Sequence, residues 1–204
     1  MRSPVLDDPK FYPFLCKVDT DLATAIQAAG CPLCGAVLHS ARYPRRILGI
    51  ALQPEVTHDY RASFCCSRDG CRHRVTPPSV RFLGRKRFLS AVVLLVSAAR
   101  YGARPRLAQA LQRAYGVSHS TLARWQRWWR ETAPKTASWM IVKTQVMPLI
   151  DPNRIPVELL RRFEATTAME KLIAVLRLVA ALPYEFPEVA NIHGFRGSRG
   201  ARRV

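Results

Sequence analysis

This sequence predicts a mainly α-helical chain carrying one small β module, and three observations predict it. The cysteines form two glycine-bearing knuckles on either side of a short alternating segment. From residue 83 onward the apolar residues fall at helical spacing, interrupted by a glycine turn and by capping residues. The 204 residues hold 49% hydrophobic residues, enough for a core, yet 32 Lys+Arg against 14 Asp+Glu leave a net charge of +18 that folding does not need. The expected organisation is an N-terminal segment (1–27), a β module (28–82), a helical module (83–131), a helical C-terminal region (132–195) and a basic tail (196–204).

Residues 1–27 are read only as an N-terminal segment, in which Cys16 is an ordinary buried cysteine. This segment carries Asp7, Asp8, Asp19 and Asp21 and lacks the apolar core of an export signal. The longest apolar runs, Leu89 to Ala99 and Leu172 to Leu182, are eleven residues each, against the roughly 20 a membrane helix needs. The expectation is therefore a cytoplasmic protein with no membrane partner. In that reducing compartment, paired cysteines bind metal more often than they form disulfides.

Cys31-Pro-Leu-Cys34-Gly35 lets two thiolates grip one ion from a tight turn, with Gly35 supplying the positive φ such a turn needs. Cys66-Ser-Arg-Asp-Gly-Cys71 repeats the device after thirty-one intervening residues. Four thiolates complete a tetrahedral Zn2+ shell and leave no position for a substrate water, so such a site is structural. Tyr60, Ala62 and Phe64 alternate with Arg61, Ser63 and Cys65, a strand leading into the second knuckle, and Ile47–Leu52 is a second strand candidate. Two knuckles joined by such a hairpin read as a zinc ribbon. Cys65 with C-x5-C spacing, or His58 or His73, stand as alternatives to one thiolate. The ribbon is expected to present Arg61, Arg68, Arg72 and Arg74 to a polyanion.

After Thr76-Pro-Pro-Ser79 comes the basic run Arg85-Lys86-Arg87, expected to contact DNA, then the apolar stretch Phe88 to Ala99, read as a buried helix ending near Gly102. A second helix is expected over Arg106–Tyr115 with Leu107 and Leu111 inward. Gly116-Val-Ser118 makes a turn, and Ser118 caps a third helix, His119–Glu131. Leu122, Trp125 and Trp129 form its core stripe, whereas His119, Ser120, Arg124 and Arg127 lie elsewhere on the helix. That is the layout of a helix-turn-helix recognition helix. Arg124 is suited to a guanine edge, and Arg127 and Arg130 to phosphates. Gln112 departs from the pattern, since a small residue usually stands four before the turn glycine.

Pro134 to Pro156 reads as an irregular, proline-punctuated connector. Pro156 opens a short helix through Phe163, and Thr167-Ala-Met-Glu170 is a capping box opening a helix to about Leu182. That last helix is apolar on most of its surface and must be covered, by the chain itself or by a partner, a second copy included. The basic tail is suited to phosphates or a minor groove, or is simply a solvated end.

Charge concentrates where these modules lie: residues 61–130 carry fifteen basic side chains and the single acid Asp69. Of the 32 cations 26 are arginine, the fork-shaped donor that pairs with phosphates and guanine edges. Double-stranded DNA is the partner this pattern predicts. No nucleophile–base set and no glycine-rich phosphate loop is visible, so no catalytic activity is expected.

CPLCG, FCCSRDGCRHRVTPPSVRFLGR and YGVSHSTLARWQRWW, over roughly residues 28–131, together resemble the N-terminal DNA-binding half of bacterial insertion-sequence transposases. They also resemble small proteins encoded beside transposase or integrase genes. The knuckles alone are shared with phage late-gene activators and with ribosomal and polymerase ribbons. The resemblance implies a bacterial, nucleoid-associated protein that binds a DNA site and positions a separate transposase or recombinase. A transposase of this kind continues into a ribonuclease-H-like domain holding two metal ions on three carboxylates. Only 73 residues follow Glu131 here, too few for such a fold. A transcriptional regulator with the same anatomy, an RNA-bound ribbon protein and an assembly scaffold are the alternatives.

Overall fold

The computed structural model describes residues 3–49, 59–101, 105–145 and 150–182. These residues form a mainly helical protein with one three-stranded antiparallel sheet, ordered β1-β2-β3.

The N-terminal segment, to which the sequence reading assigns no element, is helical. After the short α1 (Pro4–Asp7), α2 spans Phe11–Ala29. Phe11, Leu15, Val18, Leu22 and Ile26 make its buried stripe at helical spacing. Pro13 costs nothing at the third helical position, whose N–H would have no intrahelical partner. Gly30, at φ 78°, ends the helix by donating its N–H to the Gln27 carbonyl.

The sheet differs from expectation in one strand and one face. β1 is Leu38–Arg45, directly after the first knuckle, and pairs with β2 (Asp59–Cys66) from Leu38 opposite Cys66 to Arg45 opposite Asp59. Of the strand expected at Ile47–Leu52, residues 47–49 form none, Leu48 making only a bridge to Phe88, and 50–52 lie outside the described residues. β1 was hard to see because only Leu38 is fully buried; the other side chains of this edge strand give no alternation, and Pro44 sits where an edge tolerates it. β3 is the two-residue Arg74–Val75, on the other side of β2.

Within β2 the inward positions are Arg61 and Ser63, while Tyr60 is 54% exposed; Phe64 and Cys66 are buried as expected. Arg61 is thus corrected from a surface cation to an internal one. Its guanidinium donates to the carbonyls of Gly84 (2.9 Å) and Pro77 (3.2 Å), loop acceptors that burial would otherwise leave without a partner.

α3 (Ser90–Tyr101) is the buried helix expected here, with Val92, Val93, Leu94 and Val96 inaccessible. α4 (Pro105–Ala114) and α5 (His119–Arg127) follow. Ala108, Leu111 and Gln112 are buried on α4, and Leu107 only half so. Gly116 turns the chain at φ 64°; open space surrounds its Cα, so the backbone conformation and not crowding demands glycine. Ser118 accepts the Thr121 N–H (3.2 Å), the expected cap.

Beyond Arg127 the helix does not stay α. Trp128–Thr132 is a π turn and Ala133–Lys135 a 3₁₀ turn. The wider turn keeps Trp125, Trp129 and Ala133, spaced by four, all buried.

The connector contains a helix, α6 (Ala137–Gln145), correcting the irregular reading. Thr136 accepts the Trp139 N–H (3.1 Å) as a cap, and the prolines of this region all lie outside the helix. α7 (Val157–Arg162) and α8 (Ala168–Ala180) form as expected, and Thr167 and Glu170 exchange both bonds of the capping box at 3.1 Å. Leu172, Ile173, Val175, Leu176, Leu178 and Val179 are all buried within the chain, while Arg177 faces out.

α2 joins two apolar clusters. Ile26 packs with Cys31, Leu38, Phe64 and Cys66 under the sheet, and Phe11, Leu15 and Val18 pack with Phe82, Leu89 and the later helices. Between them, Asp19 of α2, itself buried, accepts from the Arg81 Nε (2.7 Å), the Val80 N–H (2.6 Å) and the Ser79 hydroxyl (2.5 Å). Arg81 also pairs with Asp59 of β2, to which the Tyr12 hydroxyl donates, and gives a further bond to the Tyr60 carbonyl (3.2 Å). Burial works against the charge of Arg81, but the Asp19 carboxylate outweighs it and raises the pKa of the guanidinium. Replacing Asp19 by Ala leaves that cation buried and half-paired, and should cost about 3–5 kcal/mol of stability by urea denaturation. A loss under about 1 kcal/mol would show that water or a rearranged Asp59 takes its place.

Candidate metal centre and nucleic-acid interface

Both knuckles are shaped by backbone bonds before any ion is considered. Cys31 follows Gly30, its N–H donates to the Ala36 carbonyl, and its carbonyl accepts from Gly35, both at 2.8 Å. Gly35 and Gly70 hold φ of 71° and 86°, as the turns require. At the end of β2 the Cys66 N–H bonds the His73 carbonyl (2.9 Å), and the Arg68 N–H points at the Cys66 sulfur (3.4 Å).

This places the Sγ atoms of Cys31, Cys34, Cys66 and Cys71 within 4.8 Å of one another. Cys31 lies 3.8 Å from Cys71 and Cys34 3.4 Å from Cys66, far beyond the roughly 2.05 Å of a disulfide. A tetrahedron with metal–sulfur bonds of about 2.3 Å has edges near 3.8 Å, so the four thiols could hold one ion. Cys65 is not among them: its sulfur turns to the carbonyls of Cys66 (3.7 Å) and Arg72 (3.8 Å). His73 is not in the group either, and His58 lies outside the described residues.

The thiols are electrostatically unequal. Burial pushes Cys66 up to about 12, with the bonded thiols of Cys34 and Cys31 adding to it. Burial also opposes ionisation of Cys31, but hydrogen bonds involving Leu33, Cys34 and Cys66 outweigh it and lower that thiol to about 7. Without metal the Cys66 thiol therefore stays protonated, and metal uptake must release that proton. Affinity should fall as the pH is lowered, with protons appearing in unbuffered solution on titration. Cys66→Ser should lose the bound metal and much of the sheet's stability, and Cys65→Ser should keep both. Metal analysis and melting check this; unchanged metal content in Cys66→Ser would remove it from the ligand set.

The second candidate surface is α5. Leu122 and Trp125 anchor it, with the Phe88 ring edge-on to Trp125 at 5.1 Å. His119, Ser120, Arg124, Arg127 and Arg130 are all exposed. Arg124 is steadied by the Thr121 hydroxyl (3.0 Å), which also accepts from Ser118 (2.9 Å). Among the described residues no carboxylate pairs with Arg124, Arg127 or Arg130.

The helix stands between two clefts. One, of about 800 Å³, is walled by Arg85, Lys86 and Arg87 on one side and Thr121, Arg124 and Trp128 on the other. The other, of about 510 Å³, has Arg100, Arg106 and Gln109 facing His119 and Gln126. Among the described residues neither is lined by an acid. Of the sheet cations, Arg74 is exposed and Arg72 faces Asp69 at 3.9 Å in open solvent, a contact of little energetic worth.

Sequence reasoning missed two members of this surface, Arg100 and Arg106; both belong to the basic block, but no spacing ties them to α5. It also placed Arg61 on the surface, and the basic block of 61–130 includes Arg81, although both are internal. No family model, curated protein or solved structure matches this chain. No helix among the described residues is long and apolar enough to cross a membrane.

Proposed function

We propose that this chain is a non-enzymatic, zinc-dependent protein that binds duplex DNA at a specific site, built from a zinc ribbon and a helix-turn-helix. The observation that carries the proposal is the front of α5: a capped, firmly packed helix whose exposed face is arginine-rich and has no acidic partner among the described residues, flanked by clefts lined with further cations. A fold has no use for such a face, because unpaired like charges repel, whereas a major groove has phosphate rows on both sides of a floor of base edges. Arg124 is the base reader in this proposal, with His119 and Ser120 beside it at the N-terminal end. Arg127 and Arg130 hold phosphates. Zinc on Cys31, Cys34, Cys66 and Cys71 is structural, a closed shell with no open position for a reacting water. The resemblance to transposase DNA-binding halves supports the end of a mobile element as the site, with a separate recombinase brought to it.

Selection from random duplexes mixed with genomic fragments of the protein's own neighbourhood, at about 150 mM salt where phosphate-only binding is suppressed, tests this. A motif recurring at element ends is the expected result. A motif in a promoter would replace the transposition reading with transcriptional regulation, and absence of duplex binding would end the proposal. Within an enriched site, Arg124→Ala should cost about 1–3 kcal/mol and relax preference at one base pair. Equal weakening on every sequence would make Arg124 a phosphate contact.

A further inference from the structure

The Gly84–Arg87 loop leads from the sheet toward α3, and its backbone is tied down at three carbonyls. Arg61 donates to Gly84 (2.9 Å), Arg45 to Lys86 (3.1 Å) and the Leu48 N–H to Arg87 (3.0 Å). A loop held this way presents its side chains in fixed directions. Arg85 and Arg87 point into solvent, while Lys86 turns toward α5 and lays its ammonium 3.7 Å from the centre of the Trp128 ring.

Lys86 is poorly explained by folding. Among the described residues no carboxylate and no hydrogen-bond acceptor meets its ammonium. Burial without a counter-charge lowers its pKa to about 8. The aromatic face offsets part of that penalty and fixes where the charge sits, yet an apolar side chain would fill the same place at lower cost. The cleft it lines holds three more cations, Arg85, Arg87 and Arg124, and the side chains of Thr121, Thr132 and Thr136. Arg124 belongs both to this cleft and to the exposed front of α5, so whatever α5 enters lies against the cleft wall.

We infer that this cleft receives a backbone phosphate of the bound duplex on the Lys86 ammonium, held in place by Trp128, while α5 beside it reads the bases. The inference rests on the duplex-binding reading above and gives Lys86 a defined place and partner within it. A helix seated in the major groove has a phosphate row along each flank, and the cleft borders one flank of α5. Trp128 is then a positioning residue. The tied loop makes the sheet side of the protein and the helical side grip one duplex together.

The test uses the full-length, zinc-loaded protein and its variants Lys86→Met, Lys86→Arg and Arg124→Ala. Each is titrated with the selected duplex and with a scrambled one between about 50 and 200 mM salt. Lys86→Met should weaken both duplexes by the same factor and reduce the salt slope by about 1, Lys86→Arg should retain most of the affinity, and Arg124→Ala should affect mainly the selected duplex. Melting of Lys86→Met should be unchanged or raised, since removing the unpaired charge relieves the fold, and that separates lost binding from lost structure. Native protein that binds the duplex together with a Lys86→Met variant of unchanged affinity and slope would overturn the inference while leaving the functional reading intact. Weakening confined to the selected duplex would overturn it too, making Lys86 a base contact. A native protein that binds no duplex ends both.

Should Lys86→Met fail to fold, amine acetylation of the native protein decides. Lys86, less protonated than an ordinary lysine near neutral pH, should be labelled in the free protein and protected by saturating duplex, while the exposed Lys10 is labelled in both. Equal labelling of Lys86 with and without duplex would refute the phosphate contact.

Discussion

Asp19 sits in the middle of α2, between side chains that pack under the sheet and side chains that pack against the helices. Its carboxylate accepts from the Ser79 hydroxyl, the Val80 N–H and the Arg81 guanidinium. Arg81 in turn reaches Asp59 at the start of β2. A single buried ion pair with its extra partner thus ties the first long helix, the central strand and the segment leading into α3. Ion pairs of this kind contribute modestly to net stability, but they are expensive to break and they admit few alternative geometries. Here the pair connects α2 to the cysteine-bearing sheet through Asp59 and to the segment before α3 through Ser79 and Val80. Phe82, the residue after Arg81, makes the point again: the guanidiniums of Arg45, Arg61 and Arg81 all lie within 5.0 to 5.8 Å of its ring centre.

The arginines therefore divide by environment. Arg61 and Arg81 are consumed internally, as donors to carbonyls and carboxylates that the chain could not otherwise satisfy. Those of the α5 region have no carboxylate partner among the described residues, and neither has Lys86, though half-buried. Mutual repulsion among these cations works against the compact state, and a polyanion bound across them would remove that repulsion.

The cysteine cluster solves a different problem. The apolar cluster under the sheet consists of Ile26, Cys31, Leu38, Phe64 and Cys66, two of them ligand candidates. So small a core cannot order a three-stranded sheet by burial alone, and β1 buries little more than Leu38. A metal ion held between the turn after α2 and the end of β2 would supply the missing closure, and α2 would carry the result into the main core.

What could be read without coordinates was whatever short-range chemistry dictates. The two knuckles, the Ser118 cap with its Gly116 turn, the Leu122–Trp125–Trp129 stripe and the Thr167–Glu170 capping box are all decided within a few residues by geometry and local hydrogen bonding. Most of α2 was equally available in its apolar spacing but was obscured by aspartates and Pro13. Three features were decided only by tertiary structure. β1 exists because β2 offers it a backbone partner, not because its side chains alternate. Arg61 and Arg81 are internal because loop carbonyls and distant aspartates converge on them, across separations of sixteen to sixty-two residues. Lys86 meets Trp128 because the sheet and the packed α5 bring two unrelated segments together. Local rules operate over one turn of chain, whereas the pairing of buried charges depends on which distant segments share a low-dielectric space, and that is settled only when the chain has folded.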